Sequence, residues 1–162
     1  MRTVNWLFGI SAALFISGIA LVIAAGRMAR AAESVEATPV TTAVASTAQI
    51  MNGITGPAAN VIYNAVATDV SADGIKEIAP QNDQEWAVIG NSAAALIESG
   101  NLLLLGNRAI DQGDWVKMTR AMMDKGQLAL KAARDHNVEG ILIAGGDINE
   151  TCDNCHARYQ RQ

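Results

Sequence analysis

The chain is sparing with the residues that do chemistry. Its 162 residues include two cysteines and two histidines, and basic residues are the minority, 12 Lys and Arg against 16 Asp and Glu. Without a basic stripe, and with a sequence pI near 5.1, a nucleic-acid partner is excluded. No nucleophile stands beside a candidate base and no metal-ligand spacing appears outside the carboxyl end, so the sequence does not read as an enzyme. No run alternates like a half-buried strand and no internal repeat is visible, which leaves helical periodicity as the organising signal. At this length, with half of the residues apolar, the chain has enough for one sizeable core and too little for two.

Charge is also missing from Thr3 to Gly26, TVNWLFGISAALFISGIALVIAAG, which is preceded by Arg2 and followed by Arg27 and Arg30. A positive start, an apolar run and the small-residue triplet Ala29-Arg30-Ala31 read as an export signal with cleavage after Ala31. The run is longer than a secretory apolar segment needs, so residues 4–25 equally suit an uncleaved membrane anchor. Both readings place the remainder outside the cytoplasm, soluble or tethered to the inner membrane. Residues 32–40, AESVEATPV, form a linker, and residues 41–162 form the domain. Beyond residue 31, nine Lys and Arg face all 16 Asp and Glu, an acidity that would steer a basic partner protein and keep the domain soluble.

Within 41–162 the apolar spacing predicts an all-α domain, an antiparallel four-helix bundle. The first helix covers Thr41 to about residue 52 and resumes at Pro57, interrupted by Gly53, Gly56 and Pro57. Residues 68–81 form a surface connection in which Ile75–Ile78 is extended and Pro80 closes the segment. Asn82 caps the second helix with Glu85 reaching back, and Trp86, Ile89, Ala93, Leu96, Ile97, Gly100, Leu103 and Leu104 mark its inner face. Asp114 caps a third helix to Asp135, with an inner stripe of Trp115, Met118, Met122, Ala129 and Ala133 and a solvent pair of Arg120 with Asp124. The fourth helix runs from Val138 to the end, with Val138, Ile141, Leu142, Gly145, Ile148, Cys152, Cys155, His156 and Tyr159 on one face.

Both cysteines fall in the last turns, in TCDNCHARYQRQ. Cys-x-x-Cys-His is the attachment signature of c-type haem. Cysteines three apart lie on one side of a helical turn, where each sulfur can bond a vinyl-derived carbon of the porphyrin, and the next residue projects its imidazole beneath the iron. Three other readings compete. A disulfide suits an exported chain but is strained across one helical turn and leaves His156 idle. A thioredoxin-like pair belongs at a helix start after a strand. Zinc needs four ligands, and His136 is remote in sequence as the fourth.

With that motif followed by Tyr159, three residues beyond His156, residues 40–160 resemble the class II c-type cytochromes of the cytochrome c prime type. The resemblance implies a four-helix bundle carrying one covalent haem c near the carboxyl end, and it allows a homodimer without requiring one. Members often place an arginine directly after the aromatic residue; here Gln160 stands there, flanked by Arg158 and Arg161.

The resemblance also turns function on the iron's other face. In one subgroup an apolar residue of the first helix blocks it and small gases bind a five-coordinate iron; in the other, a first-helix methionine completes a low-spin electron carrier. Met51 is the methionine in that helix, either the second metal ligand with His156 or an adaptable core filler. Trp86 packs against the ring edge or serves as plain core. The leading expectation is a periplasmic electron-transfer cytochrome working with a redox partner protein. A gas-binding cytochrome and a thiol redox enzyme using Cys152 and Cys155 are the alternatives.

Overall fold

The computed structural model describes residues 2–33, 42–72 and 74–160. The chain divides into two units, Met1–Val40 and Thr41–Gln162. The first contains helix α1, Arg2–Glu33. Its segment Trp6–Met28 has a mean hydropathy of 2.4 and none of its surface buried, and it is long and apolar enough to cross a membrane. That is compatible with a signal or an anchor. The expected cleavage point after Ala31 falls inside this helix, and most of the linker expected at 32–40 lies outside the described residues.

The second unit is predominantly helical. Its elements are α2 (Thr47–Ile50), a π turn (Met51–Thr55), α3 (Gly56–Tyr63), strands β1 (Ala67–Ser71) and β2 (Gly74–Ile78), then α4 (Asp83–Leu104), α5 (Asp114–Arg134) and α6 (Val138–Tyr159). The first helix therefore starts at Thr47 rather than Thr41. Ser46 caps it: its Oγ accepts from the Gln49 N–H at 3.2 Å while Gln49 Oε1 accepts from the Ser46 N–H at 2.8 Å, a reciprocal capping box. The expected break at Gly53–Pro57 is instead a π turn, through which the helix stays continuous. Pro57 has no N–H to donate and its ring crowds the carbonyl four residues back, and the wider turn relieves that conflict.

Residues 67–78 correct the expectation that no strand pairs. β1 and β2 form an antiparallel hairpin with Ala67 opposite Ile78 and Val70 opposite Ile75. Gly74 takes a φ of 123° in its turn, a conformation that side-chain-bearing residues avoid.

α5 packs between α4 and α6, and α3 packs against α4 and α6. Close contacts run in opposite order along α4 and α5. A Cβ added at Gly126 of α5 would stand 2.8 Å from Ile97 Cγ1 of α4, and one at Gly100 would meet Met123, while Trp115 Nε1 donates to the Leu103 carbonyl at 3.2 Å. Along α5 and α6, Lys125 pairs with Asp147 and Trp115 meets Tyr159 edge-on, again antiparallel. Ile50, Ile62, Leu96, Leu103, Ile141 and Ile148 are the large buried side chains at the centre.

Several local expectations change. Asn82 does cap α4, accepting from the Glu85 N–H at 2.9 Å, but Glu85 reaches back to the Gln81 N–H. Asp114 does not cap α5. Asp111 does, its Oδ1 accepting from the N–H groups of Gly113 and Trp115 at 2.8 and 3.0 Å, because Asp114 is drawn to Arg158 at 2.8 Å. Among the described residues the other ion pairs are Lys125–Asp147 and Lys131–Asp135, so Arg120 and Asp124 do not form the expected one. Val138 and Leu142 are exposed: Ile141, Gly145 and Ile148 hold the strict three-and-four inner row, Leu142 lies off it, and Val138 overhangs the first turn. α5 and α6 join through a left-handed His136, φ 52°, with the His136 and Asn137 N–H groups returning to Ala133 and Ala132, a Schellman closure.

Candidate cofactor site

The three-and-four row of α6 continues past Ile148 into Cys152, Cys155 and Tyr159, and it carries these side chains with His156 to one wall of a cavity of about 680 Å³. The π turn and α3 contribute Met51, Thr55, Ala59 and Tyr63; α5 supplies Trp115, Met118 and Met122, and Leu103 comes from α4. The volume lies in the range of small-molecule and cofactor sites. Five of the six side chains singled out from the sequence, Met51, Cys152, Cys155, His156 and Tyr159, thus share one space although Met51 is about a hundred residues from the others.

Trp86 is the exception. It is buried on the inner face of α4, as its spacing implies, but it stacks on His136 with ring centroids 5.0 Å apart and planes 6° from parallel. Together they edge a separate, shallower pocket with Asp83, Gly90, Leu130 and Arg134. The physical reason is axial position: Trp86 opens α4, whereas Leu103 near its far end reaches the cavity. Trp86 is therefore core at the other end of the unit.

Both cysteines are free thiols. Burial pushes the Cys152 thiol above its ordinary value, and burial with the neighbouring Cys152 does the same to Cys155. The Tyr63 hydroxyl donates to Cys152 Sγ at 3.7 Å, and burial together with the Cys152 sulfur raises the phenol well above its usual range. The carboxyl end of a helix is the negative end of its dipole and disfavours a thiolate.

Tyr159 is held by partners that the sequence motif did not include. Its hydroxyl donates to Asp111 Oδ2, its ring meets Trp115 edge-on at 5.1 Å, and the Arg158 guanidinium lies over its face 5.5 Å from the centroid. The Tyr159 hydroxyl and the backbone N–H groups hold the Asp111 carboxyl below its usual range. Arg158 is thus directed to Asp114 and Tyr159, Gln160 lines the cavity, and Arg161 lies outside the described residues. Tyr63 and Asp111 went unrecognised because neither belongs to a motif. The available signal for Asp111 was its place two residues before Gly113 and four before Trp115, where an aspartate can reach forward to both N–H groups.

The donor set fits haem. Two thiols one helical turn apart and an adjacent imidazole, the set that c-type haem attachment requires, line one space with the Met51 thioether and with a mixture of apolar and uncharged polar side chains. Among the described residues no three of His, Cys, Asp and Glu converge as a metal-ligand group. No protein-family model, curated protein or solved structure matches this chain.

Proposed function

We propose that residues 41–162 form a c-type cytochrome domain of the class II kind, an electron carrier rather than a catalyst. In this reading Cys152 and Cys155 would hold one haem c through thioether bonds, and His156 and Met51 would be the protein ligands of its iron. The observation that supports it is the shared cavity: the first-helix methionine lines the same space as the Cys-x-x-Cys-His turn. The antiparallel pairings of α4 with α5 and α5 with α6, closed by α3, support a four-helix bundle as the scaffold, with the β1–β2 hairpin inserted after α3. The apolar α1 supports export to the periplasm as signal or anchor, where a redox partner protein would meet the acidic domain.

When bound, haem supplies a one-electron iron couple. The side chains around it set its conditions. Trp115, Met118, Met122, Leu103 and Ala59 exclude water, which lowers the local dielectric and strengthens every electrostatic effect at the site. Tyr63 keeps its proton directed at the Cys152 sulfur, and Tyr159, locked between Asp111, Trp115 and Arg158, fixes the last turn of α6 beside His156. A Met51 thioether bound to the iron together with the His156 imidazole would raise the potential and suit electron transfer. The place of both cysteines in the last turns of α6, at the negative end of the helix dipole and with no strand leading into that helix, counts against a thiol-disulfide enzyme, whose attacking cysteine sits at a helix start.

Protein produced with haem-attachment machinery, then examined by absorption in the reduced state with and without carbon monoxide, tests this. A low-spin spectrum indifferent to carbon monoxide is expected. A high-spin spectrum that shifts with the gas would replace electron transfer by gas binding at a five-coordinate iron, and the absence of a Soret band would end both cytochrome readings.

A further inference from the structure

The π turn itself decides which side chain of the first helix enters the cavity. In an α-helix each residue turns about 100°, so Met51 and Tyr63, twelve positions apart, would stand about 120° from each other on an unbroken α-helix. Both nevertheless line the cavity. The same spacing separates Ile50 from Ile62, and both are buried in the core, 2% and 1% exposed. A turn that absorbs one extra residue reduces each separation to about 20°, which accounts for both alignments at once. Without it, the arithmetic turns Ile50 toward solvent and Met51 away from the cavity.

Three features hold the wider turn. The Gly56 N–H donates to the Met51 carbonyl five residues back, and a Cβ at Gly56 would lie 2.9 Å from that carbonyl oxygen, so glycine alone permits the approach. Pro57 removes the next N–H that an α-helix would use. At the end of the turn, buried Thr55 donates to Ser99 Oγ of α4 at 3.0 Å, and Ser99 donates to the Leu96 carbonyl at 2.7 Å, pinning the turn to the core.

We propose that the π turn Met51–Thr55 is a register device that selects Met51 for the cavity, with Gly56, Pro57 and Thr55 as its positioning residues. Building on the haem–methionine reading, the device sets the sixth ligand and hence whether the site carries electrons or accepts a gas.

The phase argument yields a test that a general loss of stability does not imitate. The double substitution Gly56→Ala with Pro57→Ala favours an unbroken α-helix of unchanged length, which rotates Met51 by about 100°. Deleting the exposed Gly53 in that background removes the extra residue and restores the phase. Two readouts follow each variant: the spin state of the haem-loaded protein, and the protection of the Ile50 methyls from a soluble paramagnetic probe in NMR, which requires no haem and reads the burial of Ile50, 2% exposed. Low-spin character and protection of Ile50 are expected in the natural chain, lost in the double variant and regained on deletion of Gly53. A double variant that keeps both signatures overturns the proposal, as does a folded deletion variant that lacks them. If the double variant does not fold, the deletion variant alone decides. A natural protein that lacks haem, or whose spectrum is indifferent to Met51→Ala, sinks the axial-ligand reading instead and leaves the NMR arm to judge the device.

Discussion

The phenol of Tyr63 and the thiol of Cys152 meet on the cavity wall, the hydroxyl donating to the sulfur at 3.7 Å. Burial raises both groups' affinity for their protons; the sulfur raises the phenol's further, whereas the phenol's hydrogen bond works in the opposite direction on the thiol. The contact ties α3 to the last turns of α6, and burial of the two thiols makes the haem-free protein sensitive to alkali. A thiol whose value is higher folded than unfolded favours folding below the unfolded value, about 8.5, and that contribution fades as pH rises toward the folded value. The urea midpoint of protein made without haem attachment should therefore fall between pH 7 and pH 10. Replacing both cysteines with alanine should make that fall shallower. A midpoint level to pH 10 contradicts the burial of these thiols.

Replacing Met51 with alanine should convert the haem-loaded protein from low-spin to high-spin and let carbon monoxide bind the reduced iron. Met51 is only partly buried, so folding should survive the change. Thermal melting followed by circular dichroism checks the fold while absorption reads the iron. An unchanged spectrum in a folded variant would show that the methionine does not ligate.

Trp86 gives the complementary outcome. It is 7% exposed and stacked on His136, remote from the cavity wall, so Trp86→Ala should cost about 3–5 kcal/mol of stability, the usual range for an aromatic core truncation. The haem spectrum should stay as it is. Urea denaturation and absorption on the same sample read the two effects separately, and a shifted spectrum at full stability would place Trp86 at the haem after all.

The motif-bearing end of α6 was easy to read in the sequence and the rest of the cavity lining was hard. Cys152, Cys155 and His156 announce themselves by spacing within one helical turn, and the inner row of α4 from Trp86 to Leu103 is visible as a three-and-four repeat. Trp86 could be assigned to that row but not to an end of the unit, because the row says nothing about which neighbour lies alongside. Of the hairpin, the extended Ile75–Ile78 was legible but its partner strand was not: all of β2 and all of β1 after Ala67 are exposed, so no buried face imposes alternation, and the pairing rests on backbone bonds and the Gly74 turn. In ITGPA, Gly56 and Pro57 read as a helix break, since the residues that interrupt a helix also widen one, and only the packing of Ile50 and Met51 distinguishes the outcomes.

Acid should loosen the junction between α5 and α6. The Asp111 carboxyl, held below its ordinary value first by Tyr159 and then by the Trp115 N–H, favours folding above the unfolded value, about 3.9, and this contribution is lost as pH falls through the lower folded value. Asp111→Asn keeps an acceptor for the backbone N–H groups but removes the charge. Its stability should depend less steeply on pH between 5 and 2.5 than that of the natural chain, as read by urea midpoints. Equal slopes would mean that Asp111 gains nothing from Tyr159 on folding.

The Thr55–Ser99 pair makes a prediction about asymmetry. Ser99 accepts from Thr55 and donates to the Leu96 carbonyl, so Ser99→Ala strands the Thr55 hydroxyl, itself 3% exposed, without its acceptor. That should cost about 1–3 kcal/mol, the penalty of a buried polar group left unpaired. Thr55→Val removes the donor but leaves Ser99 bonded to Leu96 and keeps the side-chain shape, so it should cost less. The double variant should be more stable than the sum of the single losses implies, because the stranded hydroxyl is gone, and residues in direct contact do not add. Strict additivity in urea melts would show that the two hydroxyls do not depend on each other, and that the end of the π turn is held by packing alone.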